Sequence, residues 1–297
     1  MQPLNQELAE NLRYDSPEFP LRAMQGQLRD YPSGMMPPHW HNELEFILLR
    51  SGSAVYRVNE RDYRLVAGDV LFVNSNRLHF GYSPKGGDFS YSVLHFLPDL
   101  ISDRLVKHKY LLPLISPSAC DACLFAAAPG QTTAVYGTVC SLISLFLQQP
   151  PGYELHMLEL VYRLLRLLEQ ENIACRPADE TGNLRIRSMQ TMLKYIQQHC
   201  AEKITLDEIA AAGAMCRSKC TVLFRQVLQQ TAIEYVQSVR LQKSCELLSE
   251  TDLSMTEIAG SCGFSGASYF VELFHQQFGM TPRRYRASLR ESPAKVP

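Results

Sequence analysis

A chain of 297 residues, 46% hydrophobic and 20% charged, has room for two domains with their own cores, and this composition excludes a disordered or fibrous protein. The net charge of −1 hides an asymmetry: residues 1 to 184 hold 15 Lys+Arg against 20 Asp+Glu, whereas residues 185 to 290 hold 13 against 9. The C-terminal part is therefore the one suited to a polyanionic partner.

Residues 1 to 12 lack a basic segment followed by an apolar run, and no window approaches 18 uninterrupted apolar residues, so a cytoplasmic protein without a membrane partner is expected. Nine scattered cysteines suit reduced thiols in that compartment. The first 30 residues read as a lead-in arm and an edge strand, with Phe19-Pro20 marking an extended step. From Gly34 to about Leu97 the pattern is alternation broken by turns. Strands are expected at Leu44 to Leu49, Ala54 to Val58, Asp62 to Val66, Val70 to Val73 and Phe89 to Phe96. Short strands so closely spaced imply a sandwich or small barrel.

An ordered set of polar residues lies within this region: Gly34, His39-Trp40-His41, Glu45, Gly52, Gly68 and His79. Side chains alternate along a strand, so His39, His41 and Glu45 share one side, and His79 joins them from a later strand. Two imidazoles and a carboxylate with a third imidazole are ligands for a divalent metal. The spacing resembles the first cupin motif and, more loosely, the second, where Asn74 and Asn76 stand at places that family usually fills with Pro and Gly. Three readings stay open. His39, Trp40, His41, Glu45, Tyr56, His79 and His95 line a pocket for a small molecule; or His39, His41, Glu45 and His79 hold a metal that assists its recognition; or the histidines are structural. No other cofactor is expected. Trp40 suits stacking on a sugar face or a place in the core.

Residues 98 to 130, with Pro98, Pro113, Pro117 and Pro129, read as a connection with short helical pieces, and Cys120-Asp121-Ala122-Cys123 as loop thiols. An αα-hairpin follows, Thr133 to Gln148 and Tyr153 to Glu171, around Pro150-Pro151-Gly152. Its apolar stripe is broad enough to cover the barrel and leave a dimer seam. A polar interdomain linker is expected within residues 172 to 184, and Leu184 to Cys200 as the first helix of the next domain.

The C-terminal part states one pattern twice. Thr205-Leu206-Asp207-Glu208-Ile209-Ala210 returns 49 positions on as Ser254-Met255-Thr256-Glu257-Ile258-Ala259, and Leu223-Phe224, Thr231 and Tyr235 return at 50 positions as Leu273-Phe274, Thr281 and Tyr285. Thr205 with Glu208 and Ser254 with Glu257 have the capping-box spacing that opens a helix. Each copy then turns at small residues into a second helix, which makes a helix-turn-helix. Arg217, Ser218, Lys219, Thr221 and Arg225 in the first copy, and Ser268 and Glu272 in the second, are candidate DNA contacts. Between the copies, Ala232 to Leu248 forms a rod of about 26 Å at ~1.5 Å per residue.

Arg240-Leu241, Gly263-Phe264-Ser265, Ser268-Tyr269-Phe270, Phe274, Phe278-Gly279, Thr281-Pro282 and Tyr285-Arg286 resemble the DNA-binding domain of AraC family transcription regulators over about Arg187 to Leu289. The first copy departs from that pattern at Gln229, in the place of Gly279, and at Cys220, in the place of a Leu. The resemblance implies an α+β protein of two domains: a cupin-like effector-binding and dimerisation domain over 1–171, a linker over 172–184, and a tandem helix-turn-helix domain over 185–290. Its implied partners are promoter DNA, a small effector of the sugar type, a second copy of the chain and RNA polymerase. The expected function is ligand-responsive transcription regulation, with no catalysis; the competing reading is a cupin metalloenzyme, an isomerase or dioxygenase, fused to a helical domain.

Overall fold

Leu44, Phe46 and Leu48 alternate with Glu45, Ile47 and Leu49 along one strand, and the two sets enter different cores. That division organises the N-terminal part of the computed structural model, which describes residues 14–31, 34–84, 86–116, 118–127, 133–171, 173 and 180–291. Eight strands are present among them: β1 (Leu21–Gln27), β2 (Leu44–Ser51), β3 (Ser53–Val58), β4 (Arg61–Val66), β5 (Val70–Val73), β6 (His79–Tyr82), β7 (Ser90–Phe96) and β8 (Ala122–Phe125). They form a five-stranded sheet in the order β1-β7-β2-β5-β8 and a three-stranded sheet in the order β4-β3-β6, with every pairing antiparallel.

The inner core between the sheets is built from Ile47, Leu49, Tyr56, Val58, Leu65, Leu71, Val73, Tyr91 and Val93. The opposite face of the larger sheet carries Leu44, Phe46, Leu48, Phe72, Leu94 and Phe96. It packs against α3 (Ala134–Gln148) and α4 (Tyr153–Gln170) through Val139, Leu142, Met157, Val161 and Leu164. Each of these fully buried side chains contributes roughly 1.5–3 kcal/mol. The hairpin from β2 to β3 needs glycine at its tip: Gly52 has φ +80°, and a Cβ there would lie 2.5 Å from the Asp88 carbonyl oxygen.

Residues 98 to 130 depart from expectation. They contain two single-turn helices, α1 (Arg104–Val106) and α2 (Leu112–Leu114), flanking a π-helical turn at Lys107–Leu111, but also the strand β8. Four residues are too few to show alternation, and β8 is defined by its pairing with β5, a contact distant in sequence. Cys123 accordingly lies buried in a strand and not in a loop. Arg77 ties this region down. Its guanidinium donates to Asp121 Oδ1 at 2.6 Å and to the carbonyls of Ser75, Ser116 and Ala119.

The chain divides into two compact units, with the division falling between Ile186 and Arg187. Part of the stretch expected as linker is helical, because α5 (Glu180–His199) already includes residues 180 to 184; the polar residues there are compatible with a helix whose apolar period starts later. In the C-terminal unit, α6 (Leu206–Ala212) and α7 (Arg217–Leu228) form the first helix-turn-helix, and α9 (Met255–Ser261) and α10 (Ala267–Phe278) the second. α8 (Ala232–Glu250) runs between them and α11 (Pro282–Glu291) closes the unit.

Local chemistry accounts for these boundaries. Both expected capping boxes close: Thr205 N donates to Glu208 at 2.8 Å and Ser254 N to Glu257 at 2.8 Å, while each hydroxyl accepts from the returning amide. Thr231 and Glu234 make a third box at the start of α8. The repeat persists in the packing, since Phe224 meets Tyr235 and Phe274 meets Tyr285, with ring centroids 6.2 and 5.5 Å apart. Cys220 is fully buried, so a small thiol fills the place of the larger aliphatic residue.

α7 and α10 both end on a left-handed residue, Gln229 at φ 57° and Gly279 at φ 67°. Glutamine is strained there and glycine is not. Gln229→Gly is therefore expected to raise the stability of the helical unit by about 0.5–1 kcal/mol, read as a higher urea midpoint with an unchanged slope.

Candidate functional site

Antiparallel register places His95 on β7 opposite Glu45 on β2, and both side chains face the inner side of the barrel together with Ile47 and Val93. His79 opens β6, and a backbone bridge joins it to His39, N to O at 3.0 and 2.9 Å. His41 follows two residues after His39. The result is a buried cluster. His41, Glu45 and His79 are each no more than 3% exposed, and the candidate ligand atoms of His39, His41, Glu45 and His79 all lie within 4.8 Å of one another.

Glu45 is the hub. Its Oε1 accepts from His95 Nε2 at 3.1 Å, while its Oε2 lies 2.7 Å from His79 Nε2 and 3.6 Å from His41 Nε2. Neither of the latter contacts has hydrogen-bond direction, so His41 Nε2, His79 Nε2 and Glu45 Oε2 are buried polar atoms without a hydrogen-bond partner. Unsatisfied buried groups carry a cost, and several converging on one point fit a cation as their common partner. The remaining nitrogens of two rings are anchored from behind. His39 Nδ1 lies 2.9 Å from the Pro37 carbonyl and His79 Nδ1 2.8 Å from that of Arg77, which directs each Nε2 inward.

Glu43 adds a residue that the sequence reading missed. Its Oε2 lies 3.3 Å from His41 Nδ1, and its other oxygen accepts a short hydrogen bond from the Tyr14 hydroxyl. Asn42 and Glu43 form a bend just ahead of β2, so strand alternation did not point to Glu43. Burial disfavours a charged His41, but the carboxylates of Glu43 and Glu45 outweigh it and raise the imidazole to about 10. Burial likewise opposes a charged Glu45, yet His79, His41 and His95 hold its carboxyl well below the usual range. The carboxylates thus keep their charge in a buried place by holding a protonated His41 beside them, and a bound metal ion would have to take the place of that proton.

Two other pocket candidates stand apart. Tyr56 is fully buried in the inner core with its hydroxyl 3.2 Å from Met36 Sδ. Trp40 is 9% exposed, so its ring is packed away rather than offered as an open stacking face.

In the helical unit Arg217, Ser218, Lys219 and Arg225 are exposed on α7, and Thr221 is half-buried with its hydroxyl donating to the Arg217 carbonyl at 3.0 Å. Ser268 and Glu272 are exposed on α10. The buried side of α7 is Cys220, Leu223, Phe224, Val227 and Leu228, so the polar candidates lie on the face left to solvent. Asp207 holds Arg217 loosely at 3.4 Å. Cys216 is exposed just before α7 while Cys220 is buried within it. The amides of Lys219 and Ser218 and the Lys219 charge lower the Cys216 thiol. Arg240 orients the unit, donating to the carbonyls of Cys200 and Glu202 at 2.7 Å each, and Tyr269 on α10 accepts from Gln237 of α8 at 2.7 Å.

Two packed antiparallel sheets with an inward polar cluster and, in the same chain, two capped helix-turn-helix units define a ligand-binding regulator of transcription. Two family models fit that division: one described as AraC-like ligand binding domain matches residues 23–165, and one described as helix-turn-helix domain matches residues 209–288. The chain belongs to the AraC family and is a ligand-responsive, DNA-binding transcription regulator, not an enzyme.

It is 29% identical over 283 residues to the uncharacterized HTH-type transcriptional regulator YdeC of Bacillus subtilis (strain 168), covering 95% of this chain and 97% of that one. It is 27% identical over 264 residues to the HTH-type transcriptional activator RhaS of Escherichia fergusonii, covering 86% and 89%. A solved AraC-type DNA-binding regulator from Chromobacterium violaceum aligns at 28% identity with TM-score 0.35, over 37% of this chain and 96% of that one. No helix among the described residues is long and apolar enough to cross a membrane.

Proposed function

We propose that the barrel is a metal-assisted effector site and that the chain is a cytoplasmic, dimeric regulator responding to a small hydroxylated metabolite of the sugar class. The observation that carries this reading is the convergence of His39, His41, Glu45 and His79, in which Glu45 Oε2 lies 2.7 Å from His79 Nε2 and 3.6 Å from His41 Nε2 without a directed hydrogen bond to either. Nitrogen donors with one carboxylate suit zinc, iron, manganese or nickel. A bound ion would supply a Lewis-acidic point at which an effector oxygen is held.

The protein's own groups do the rest. His95 fixes one oxygen of Glu45 so that the other stays aimed at the imidazoles, and Glu43 holds His41 from behind. Leu155 and Tyr162, seven positions apart on α4 and exposed at 76% and 37%, offer the seam for a second copy. Arg217, Ser218, Lys219, Thr221, Arg225, Ser268 and Glu272 contact promoter DNA. An effector shifts the regulator between its DNA-binding arrangements only as far as it binds them with different affinity.

Elemental analysis of the purified full-length chain tests the site. About one divalent ion per chain is expected, lost in Glu45→Gln, which keeps the side chain's size but removes its charge. In a retardation assay, sugars that raise the thermal midpoint of the metal-loaded chain should also change its affinity for a promoter fragment. Metal-free wild-type protein that still responds to such a sugar would reduce the cluster to polar pocket lining.

A further inference from the structure

Among the positions at which the two reading helices differ, one carries an exposed apolar residue on α7. Leu223 of α7 corresponds to Leu273 of α10, so Val222 corresponds to Glu272. Both residues are exposed, Val222 at 52%. On α7 the other apolar side chains from Cys220 to Leu228 are buried, which leaves Val222 as an isolated apolar spot. Its neighbours one turn away are Ser218 and Lys219 before it and Arg225 and Gln226 after it, all exposed and polar. A β-branched residue is a weak choice for a solvent-facing helix position on propensity grounds, and no core contact compensates there.

The surrounding donors are suited to phosphates and to purine edges. In the major groove only one base carries an apolar feature, the C5-methyl group of thymine, and a small aliphatic side chain is its complement. Resting on the reading of α7 as a major-groove helix, we infer that Val222 is a specificity-determining residue that selects thymine by packing on its methyl group. At the same place in the second unit Glu272 accepts from a cytosine amino group. The two helix-turn-helix units therefore read different bases at equivalent positions, and the chain's target is a direct sequence of two unlike elements rather than one element repeated.

The test starts by selecting binding sequences from a random duplex library with the full-length protein. Each thymine in the enriched sequence is then replaced singly by deoxyuridine, which removes the methyl group and nothing else. The wild-type chain is expected to lose affinity at one thymine in the element bound by α7, by about fourfold, the factor for one buried methyl group. Val222→Ala, a better helix former than the native residue but with less reach to the methyl group, should lose most of the deoxyuridine penalty at that position and melt at or above the wild-type temperature.

The inference is overturned if wild-type affinity is indifferent to every methyl group, if the enriched sequence lacks thymine, or if Val222→Ala keeps the full deoxyuridine penalty. A chain that enriches no sequence at all overturns the reading of α7 as well. The two failures are thus separable.

Discussion

Replacing Arg217 and Lys219 together with alanine is expected to weaken promoter binding by about two orders of magnitude at physiological salt, and to reduce the slope of log affinity against log salt by roughly 2 per chain, since ~0.9 counterion is released per phosphate neutralised. Both side chains are exposed at the start of α7, and the ion pair from Arg217 to Asp207 is a solvent-exposed 3.4 Å contact, so their removal takes away donors without disturbing a core. Effector affinity, measured by the ligand-induced rise in thermal midpoint, should stay at its wild-type value. Filter binding or gel retardation across a salt series reads both quantities. Unaltered DNA affinity in the double variant would remove the first helix-turn-helix from the reading surface.

Gly263→Ala is expected to destabilise the helical unit by more than about 3 kcal/mol, a penalty from the uncommon class in which the backbone itself is obstructed. Gly263 has φ +80°, and a Cβ there would lie 2.5 Å from the Cys200 carbonyl oxygen and 2.7 Å from that of Ala201. That backbone cannot step aside cheaply, because the Cys200 carbonyl also accepts from Arg240 at 2.7 Å. The equivalent position of the first copy is Ala214, likewise left-handed at φ 53°, which shows that the backbone angle alone does not demand glycine. Close approach to the end of α5 does. Urea unfolding of the purified variant should show an early transition for the helical unit. A wild-type midpoint would show that the junction of α5, α8 and the α9–α10 turn relaxes freely.

Much of this was legible in the residues because it depends on local rules. Thr205 with Glu208 and Ser254 with Glu257 close their capping boxes from sequence-adjacent groups, so helix starts could be read directly. The repeat of Leu223-Phe224 and Tyr235 as Leu273-Phe274 and Tyr285 foretold the pairing of rings in both units. His39, His41 and Glu45 do come together, but across a bend at Asn42-Glu43 and not along one regular strand. What escaped was non-local: β8 is four residues long and depends on β5 for its hydrogen bonds, and β6, expected only as the strand that carries His79, takes its bounds from pairing with β3.

By itself, then, the sequence determined a polar-faced barrel, a helical hairpin and a duplicated helix-turn-helix, since periodicity and capping chemistry act over a few residues. Only the tertiary structure decided that His95 pairs with Glu45 across two strands, that Glu43 and Tyr14 stand behind His41, and that Trp40 and Tyr56 are packed into the interior. Those relations come from strand register and from packing between segments far apart in the chain, which one-dimensional patterning does not encode.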